Sequence, residues 1–273
     1  MRRAMHQDHH LQLQRFELKY FVRPETARMI RHHVQSHLEL DEYGQGQPNC
    51  SYAIHSLYLD TDRLSFYWHT INGNRNRFKL RLRYYDNSPA SPVFFEIKRR
   101  EGDIIRKQRT GVRRAAVAAL LAGHLPHPDD LLDTAAESLA GVQNFCKLMQ
   151  VHEARPAARI SYYREAWVNP DNNDLRVTLD RHVRVWPQRD AALNTVVPPG
   201  RPVFGELPVL EIKFTGRFPH WLREMVRTFG LARESAAKYV DGVNALGQEH
   251  FTRFVQPVPA AQWCDAAPAV SAV

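Results

Sequence analysis

Between positions 77 and 84 the chain alternates without a break. Arg77, Lys79, Arg81 and Arg83 interleave with Phe78, Leu80, Leu82 and Tyr84. Side chains at i and i+2 of a strand share a face, so this segment predicts a strand with one cationic and one apolar face. The same period of two marks strands at 15–22, 52–59, 78–85, 93–99, 104–112, 158–167, 175–186 and 209–214. Turn-forming residues punctuate them: Asn72-Gly73-Asn74, Asp86-Asn87-Ser88-Pro89, Gly102-Asp103 and Asn169-Pro170-Asp171-Asn172-Asn173.

Elsewhere the period lengthens to that of a helix. Pro24 suits a first helical position, and Ala27, Ile30, Val34 and Leu38 follow at helical spacing, predicting a helix over 24–38. Further helices are expected at 115–123, 131–150, 220–230 and 236–246. Residues 41–49 and 188–207 read as loops, 1–14 as a flexible N-terminus, and the Ala-, Pro- and Val-rich 251–273 as a disordered tail. No internal repeat is found. The expectation is a single α+β domain over 15–250, mostly antiparallel β, with helices packed outside.

Charge sharpens this picture. Neighbouring cations on the 77–83 face stand about 7 Å apart, where each pair repels by roughly 2 to 3 kcal/mol at an effective dielectric of 20. Such a row must meet water, carboxylates or an anion. The pattern recurs: Arg15, Glu17 and Lys19 share a face, as do Glu96, Lys98 and Arg100, then Lys107 and Arg109. Arg176, Thr178 and Asp180 form another set, and Glu211 and Lys213 a further one. A solvated polar face explains one such strand by itself. Repetition over six strands, with Arg abundant and neutral polar residues scarce, instead points to a closed sheet holding an anion in its interior.

Composition agrees with an anionic partner. The formal charge is +8, from 37 Lys plus Arg against 29 Asp plus Glu. Cys50, Cys146 and Cys264 are far apart and make no CxxC pair, which excludes a thiolate zinc framework and fits a reducing compartment. The N-terminus lacks the apolar core of a signal peptide, and no run of about 18 apolar residues occurs. A cytoplasmic location without a membrane span is therefore expected. Neither GxxxxGK[ST] nor GxGxxG is present, and no serine has the context of a nucleophile elbow. His33 and His37 have HxxxH spacing but no nearby carboxylate to complete a zinc site, and His55 reads as a core or cavity-mouth residue. Phe78, Tyr84 and Phe94 are read as lying opposite the charges, which argues against base stacking by nucleic acid.

Taken in order, RFELKY at 15–20, SLYLDT at 56–61, RFKLRLRYY at 77–85, FFEIKRR at 94–100 and KQR at 107–109 resemble the VTC-type polyphosphate polymerase domain. This is a branch of the triphosphate tunnel metalloenzyme, or CYTH-like, superfamily. YYREAW at 162–167, LRVTLD at 175–180, LEIKF at 210–214 and AAKY at 236–239 continue the resemblance. It implies a closed eight-stranded antiparallel tunnel barrel that binds ATP and inorganic polyphosphate with Mn²⁺ or Mg²⁺, and transfers the γ-phosphoryl group to a growing chain. By motif position it implies a phosphate-gripping set of Lys19, Arg81, Arg83, Lys98, Lys107, Arg164, Arg176 and Lys238. Glu211 is the implied metal carboxylate, with Arg109, Lys213 and Glu96 in support on the same faces. Arg15 stands where the wider superfamily's ExExK signature has glutamate, which favours the polymerase branch over triphosphatases. Ala237 replaces the serine of a Ser-Lys-Tyr motif. The sequence contains neither a regulatory SPX-like segment nor a membrane span, so a membrane protein partner is expected wherever transport is involved. Hydrolysis of triphosphate and non-catalytic polyphosphate binding remain as alternatives.

Overall fold

A computed structural model describes residues 15–171, 174–196 and 198–252. The expected flexible N-terminus and most of the expected tail lie outside these residues, but Phe251 and Thr252 are buried. The strands are β1 (Arg15–Phe21), β2 (Glu39–Leu40), β3 (Tyr52–Asp60), β4 (Asn76–Tyr84), β5 (Val93–Glu101), β6 (Ile104–Val112), β7 (Arg155–Val168), β8 (Leu175–Pro187), β9 (Arg201–Pro202) and β10 (Val209–Thr215). The helices are α1 (Pro24–Val34), α2 (Ser65–Ile71), α3 (Val117–Leu121), α4 (Ala136–Val151), α5 (His220–Thr228) and α6 (Lys238–Leu246).

One antiparallel sheet runs in the order β1-β10-β8-β7-β3-β4-β5-β6, with β2 on the flank of β7 and β9 on that of β8. The long path has the expected eight strands, but it is not hydrogen-bonded into a ring. Among the described residues no ladder joins β1 to β6, so the closed barrel expected from the sequence is replaced by a curled open sheet. The curl has local causes. β7 and β8 are 14 and 13 residues long, and long strands accumulate twist. Register shifts between Tyr58 and Leu59, and between Ser161 and Tyr163, bend the middle of the sheet further. The two ends thereby approach, and Glu17 of β1 feels the charge of Lys98 of β5.

Three apolar clusters cover the outer face. Leu80, Leu82, Phe95 and Ile97 pack on Val142, Phe145 and Met149 of α4. Gly141 permits this approach, since a Cβ there would collide with Thr110 of β6. Ala27, Ile30 and Val34 of α1 and Leu222 and Met225 of α5 cover Val177, Leu179, Leu210 and Ile212. α2 and α6 share a third cluster with Ile54, Ile160 and Val185.

The expected helix over 24–38 ends at Val34, that over 131–150 begins at Ala136, and 115–123 contains only a short α3. Helix α2 was not expected at all. Its SFYWHTI sequence is aromatic and β-branched, which disfavours helix. Tertiary contacts supply what propensity lacks. The buried Asp60 carboxylate accepts hydrogen bonds from the backbone N–H groups of Phe66 and Tyr67, both at 2.9 Å, and from the Tyr239 hydroxyl at 2.8 Å. It therefore ties the N-terminal turn of α2 to the start of α6. Asp60→Ala is expected to lower the unfolding free energy by about 2–4 kcal/mol in a denaturant titration. A loss below about 1 kcal/mol would show that α2 does not depend on this anchor.

Candidate functional site

The concave face of the sheet encloses a cavity of about 2750 Å³. Period-two alternation delivers its charges, because each strand turns its apolar side outward to the helices and its polar side inward. On one wall, Lys79, Lys98 and Lys107 stand opposite one another across β4, β5 and β6, with Arg81, Glu96 and Arg109 in the adjacent inward-facing row. On the other, Lys19 pairs with Glu211 and Glu17 with Lys213, and Arg176 lies beside Lys213. Arg164 of β7 and Lys238, at the start of α6, complete the lining.

All the cations of the set implied by the resemblance line this one cavity: Lys19, Arg81, Arg83, Lys98, Lys107, Arg109, Arg164, Arg176, Lys213 and Lys238, together with Glu211. Glu96 lies just behind them. It accepts from Arg81 at 2.6 Å and lies 3.1 Å from Lys107 and 3.6 Å from Arg109. Burial opposes its charge, but Arg81, Arg83 and Lys107 hold it well below the usual carboxylate range. At the ends of their rows, Arg77 and Arg100 bond the carbonyls of Asn74 and Gly102 and stay out of the lining.

Glu211 lies among cations. Lys238 approaches it at 2.8 Å, Lys213 at 3.2 Å, Arg164 at 3.6 Å and Lys19 at 3.9 Å. Burial opposes its ionisation too, yet these neighbours keep its pKa well below the ordinary value. Asp180 takes a two-pronged bond from Arg164, with both contacts at 2.7 Å, and pairs with Lys238 at 2.7 Å. The residues therefore form no carboxylate cage, and among the described residues no cluster of three or more His, Cys, Asp or Glu fits a metal ion. A divalent ion carried in on phosphates would need only one or two carboxylates, and Glu211 and Glu17, close enough for Glu17 to feel the charge of Glu211, are the carboxylates that line this wall.

Carboxylates balance only part of the positive charge. Lys79, Arg83 and Lys98 form no ion pair among the described residues, and the Nε of Arg83 is buried without a hydrogen-bond partner. Lys79 belongs to the alternating row but not to the set implied by the resemblance. Tyr58 and Tyr162 also join the site: Tyr58 accepts from Arg81 at 3.0 Å and Tyr162 from Arg83 at 3.3 Å. Phe94 requires a correction. It shares the inward face with Glu96 and Lys98, lines the cavity, and lies under the Arg109 guanidinium at 3.7 Å. Phe78 and Tyr84 do face the outer core.

A further buried cluster, whose Arg31 and Arg181 line the same cavity, escaped the sequence reading. Glu165 accepts from Arg31 at 2.6 Å, Arg181 at 2.6 Å and Trp167 at 2.7 Å, fixing α1 to β7 and β8. His33 and His37 pack against Trp221 of α5, and burial and His33 push the pKa of His37 down. His55 is a core residue bonded to Ser161 at 2.8 Å. Burial, with Arg159 nearby, lowers its pKa to about 4.

Residues 14–247 match the family model of the VTC domain. The chain belongs to the VTC domain family. This VTC domain is 23% identical to vacuolar transporter chaperone complex subunit 4 of Schizosaccharomyces pombe, over 86% of the chain and 37% of that protein. It is 22% identical to subunit 2 of the same organism's complex, over 59% of the chain and 24% of that protein. The chain thus spans well under half the length of either relative. Among solved structures, it is similar to a Pyrococcus horikoshii protein at 11% identity and TM-score 0.42, covering 84% of this chain and 97% of the other. A putative adenylate cyclase from Bacillus halodurans aligns at 14% identity and TM-score 0.46, covering 81% and 91%. No described helix of the VTC domain is long and apolar enough to cross a membrane.

The lysines give the cavity a pH signature. Burial, offset by Tyr58 but reinforced by Lys98 and Lys19, brings Lys79 down to about 8. Burial, partly offset by Glu96 and reinforced by Arg81 and Arg83, does the same to Lys107. Tyr58, despite burial, falls to about 8 beside Arg81 and Arg83. Raising the pH through 8 therefore removes positive charge and adds negative. The affinity for inorganic tripolyphosphate, measured calorimetrically, is expected to decline between about pH 7.5 and 9.5, with net proton uptake on binding near pH 8.5. An affinity that stays flat over this range would overturn the lysine assignment.

Proposed function

We propose that this VTC domain is a polyphosphate polymerase that uses ATP, transferring the γ-phosphoryl group to a polyphosphate chain inside the cavity. The observation that carries this reading is the set of cavity cations that form no ion pair with a carboxylate among the described residues: Lys79, Arg83 and Lys98. An extended polyanion supplies the missing counter-charge along the length of the site. Membership of the VTC family and the names of the two complex subunits support the same reading.

Phosphoryl transfer asks little covalent chemistry of a protein. It needs positioned oxygens and neutralisation of the charge spread over the transferred group. In this reading Arg81 and Arg83 offer forked donors to phosphate oxygens, and Lys98, Lys107 and Lys19 act as point charges. Lys238, set between Asp180 and Glu211, holds a fixed charge at the cavity wall, and Arg164, Arg176, Lys213 and Arg109 extend the grip. Glu211 would hold a Mn²⁺ or Mg²⁺ that, when bound, would supply further neutralisation of charge on the transferred group. The subunit names also favour a protein partner, one that provides any membrane passage the product requires.

Incubation of the purified protein with ATP and Mn²⁺ or Mg²⁺ is expected to give a polyphosphate ladder on a gel. Arg83→Ala, or Lys98→Ala, is expected to cut chain synthesis by about 100-fold. Release of orthophosphate without chain growth would assign the cavity to hydrolysis instead. Tight polyphosphate binding with neither product would leave a binding module.

A further inference from the structure

One end of the cavity has a chemistry that inorganic phosphate does not call for. Tyr85, Pro92 and Phe94 line it where β4 passes into β5, at the far end of the strand pair from the Gly102–Asp103 turn into β6. From Phe94 to Arg100, opposite Ile105, β5 advances about 20 Å. Around Phe94 the rings form a continuous series: Tyr43 to Tyr52 at 5.7 Å, Tyr52 to Tyr85 at 6.4 Å and Tyr85 to Phe94 at 6.1 Å between centroids. Arg109 spans the end of the series, lying over Phe94 and donating to the Tyr85 hydroxyl at 3.2 Å. At the β5–β6 turn the lining is aliphatic, with Ile104 and Ile105 exposed.

A polyphosphate chain has no π-face to match such rings, whereas a nucleobase does, and base–aromatic stacking contributes about 1–3 kcal/mol per base. Tyr43 is exposed and so is not held in the series by core packing. Tyr52 is tied by its hydroxyl to Asp41 at 3.1 Å, and Asp41 also accepts from Arg176 at 2.7 Å, so the rings and the cationic wall are braced together. Lys98 lies about 13 Å along β5 from Phe94, which leaves a path for phosphates past Arg109 toward the lysine row.

We infer that the Tyr43–Tyr52–Tyr85–Phe94 shelf is a nucleobase subsite, which seats the base of a nucleoside triphosphate at this mouth and directs its phosphates toward Lys107 and Lys98. The inference rests on the reading that the cavity accepts ATP. Titration calorimetry with ATP and with inorganic tripolyphosphate, each as the Mg²⁺ complex, separates base from phosphate. The double variant Tyr43→Ala with Phe94→Leu is expected to bind ATP about tenfold more weakly than wild type while binding tripolyphosphate unchanged. Retained tripolyphosphate binding also reports that the variant is folded, and Phe94→Tyr alone is expected to keep wild-type ATP affinity. Equal weakening of both ligands, or no change in either, overturns the subsite. Failure of wild type to bind either ligand overturns the anion cavity itself, and the subsite with it.

Discussion

Like charges held close together set the terms for this structure. Rows of Lys and Arg from separate strands converge on one cavity, and cations about 7 Å apart repel by roughly 2 kcal/mol per pair at an effective dielectric of 20. Glu96, Asp180 and Glu211 relieve part of this repulsion by accepting from several cations each. The remainder is held by the outside of the sheet, where three apolar clusters press helices onto every part of the curl. The cationic interior and the apolar exterior are two consequences of the same alternation. Neither face can change its period without exposing the other.

That arrangement suits chemistry that depends on fixed charge. The carboxylates that brace the cavity lie deeper than the cations they hold, so the guanidinium and ammonium groups are oriented before any ligand arrives. Arg164 is held by both oxygens of Asp180, and Lys238 sits between Asp180 and Glu211. Site groups positioned in this way need little reorganisation when charge develops on a phosphoryl group.

Much of this was legible in the sequence because alternation is a local signal. The strands, their inward faces and nearly all the cavity cations follow from reading residues two at a time. What escaped is what depends on contacts distant in sequence. α2 forms from a poor helical sequence because Asp60 and Tyr239 hold its first turn, a contact across 179 positions. The Glu165 cluster joins residues 134 positions apart, and nothing around Arg31 marks it as a partner. Ring closure was overestimated because β-propensity says nothing about whether two edge strands meet. Phe94 was misplaced by counting, since its parity with Glu96 and Lys98 was already in the sequence.

The pairing of β1 with β10 has a consequence for how the chain is made. Among the described residues β1 has one ladder partner, β10, made nearly two hundred residues later, and Lys19 donates to the carbonyl of Ala236 across a separation of 217. Until then an edge carrying Phe16, Leu18 and Tyr20 waits without its neighbour. Such late, long-range closure is intrinsically slow and leaves the nascent chain open to wrong partners. It also means that the cavity has no partial form: a polypeptide halted before β10 lacks Glu211, Lys213 and Lys238 at once.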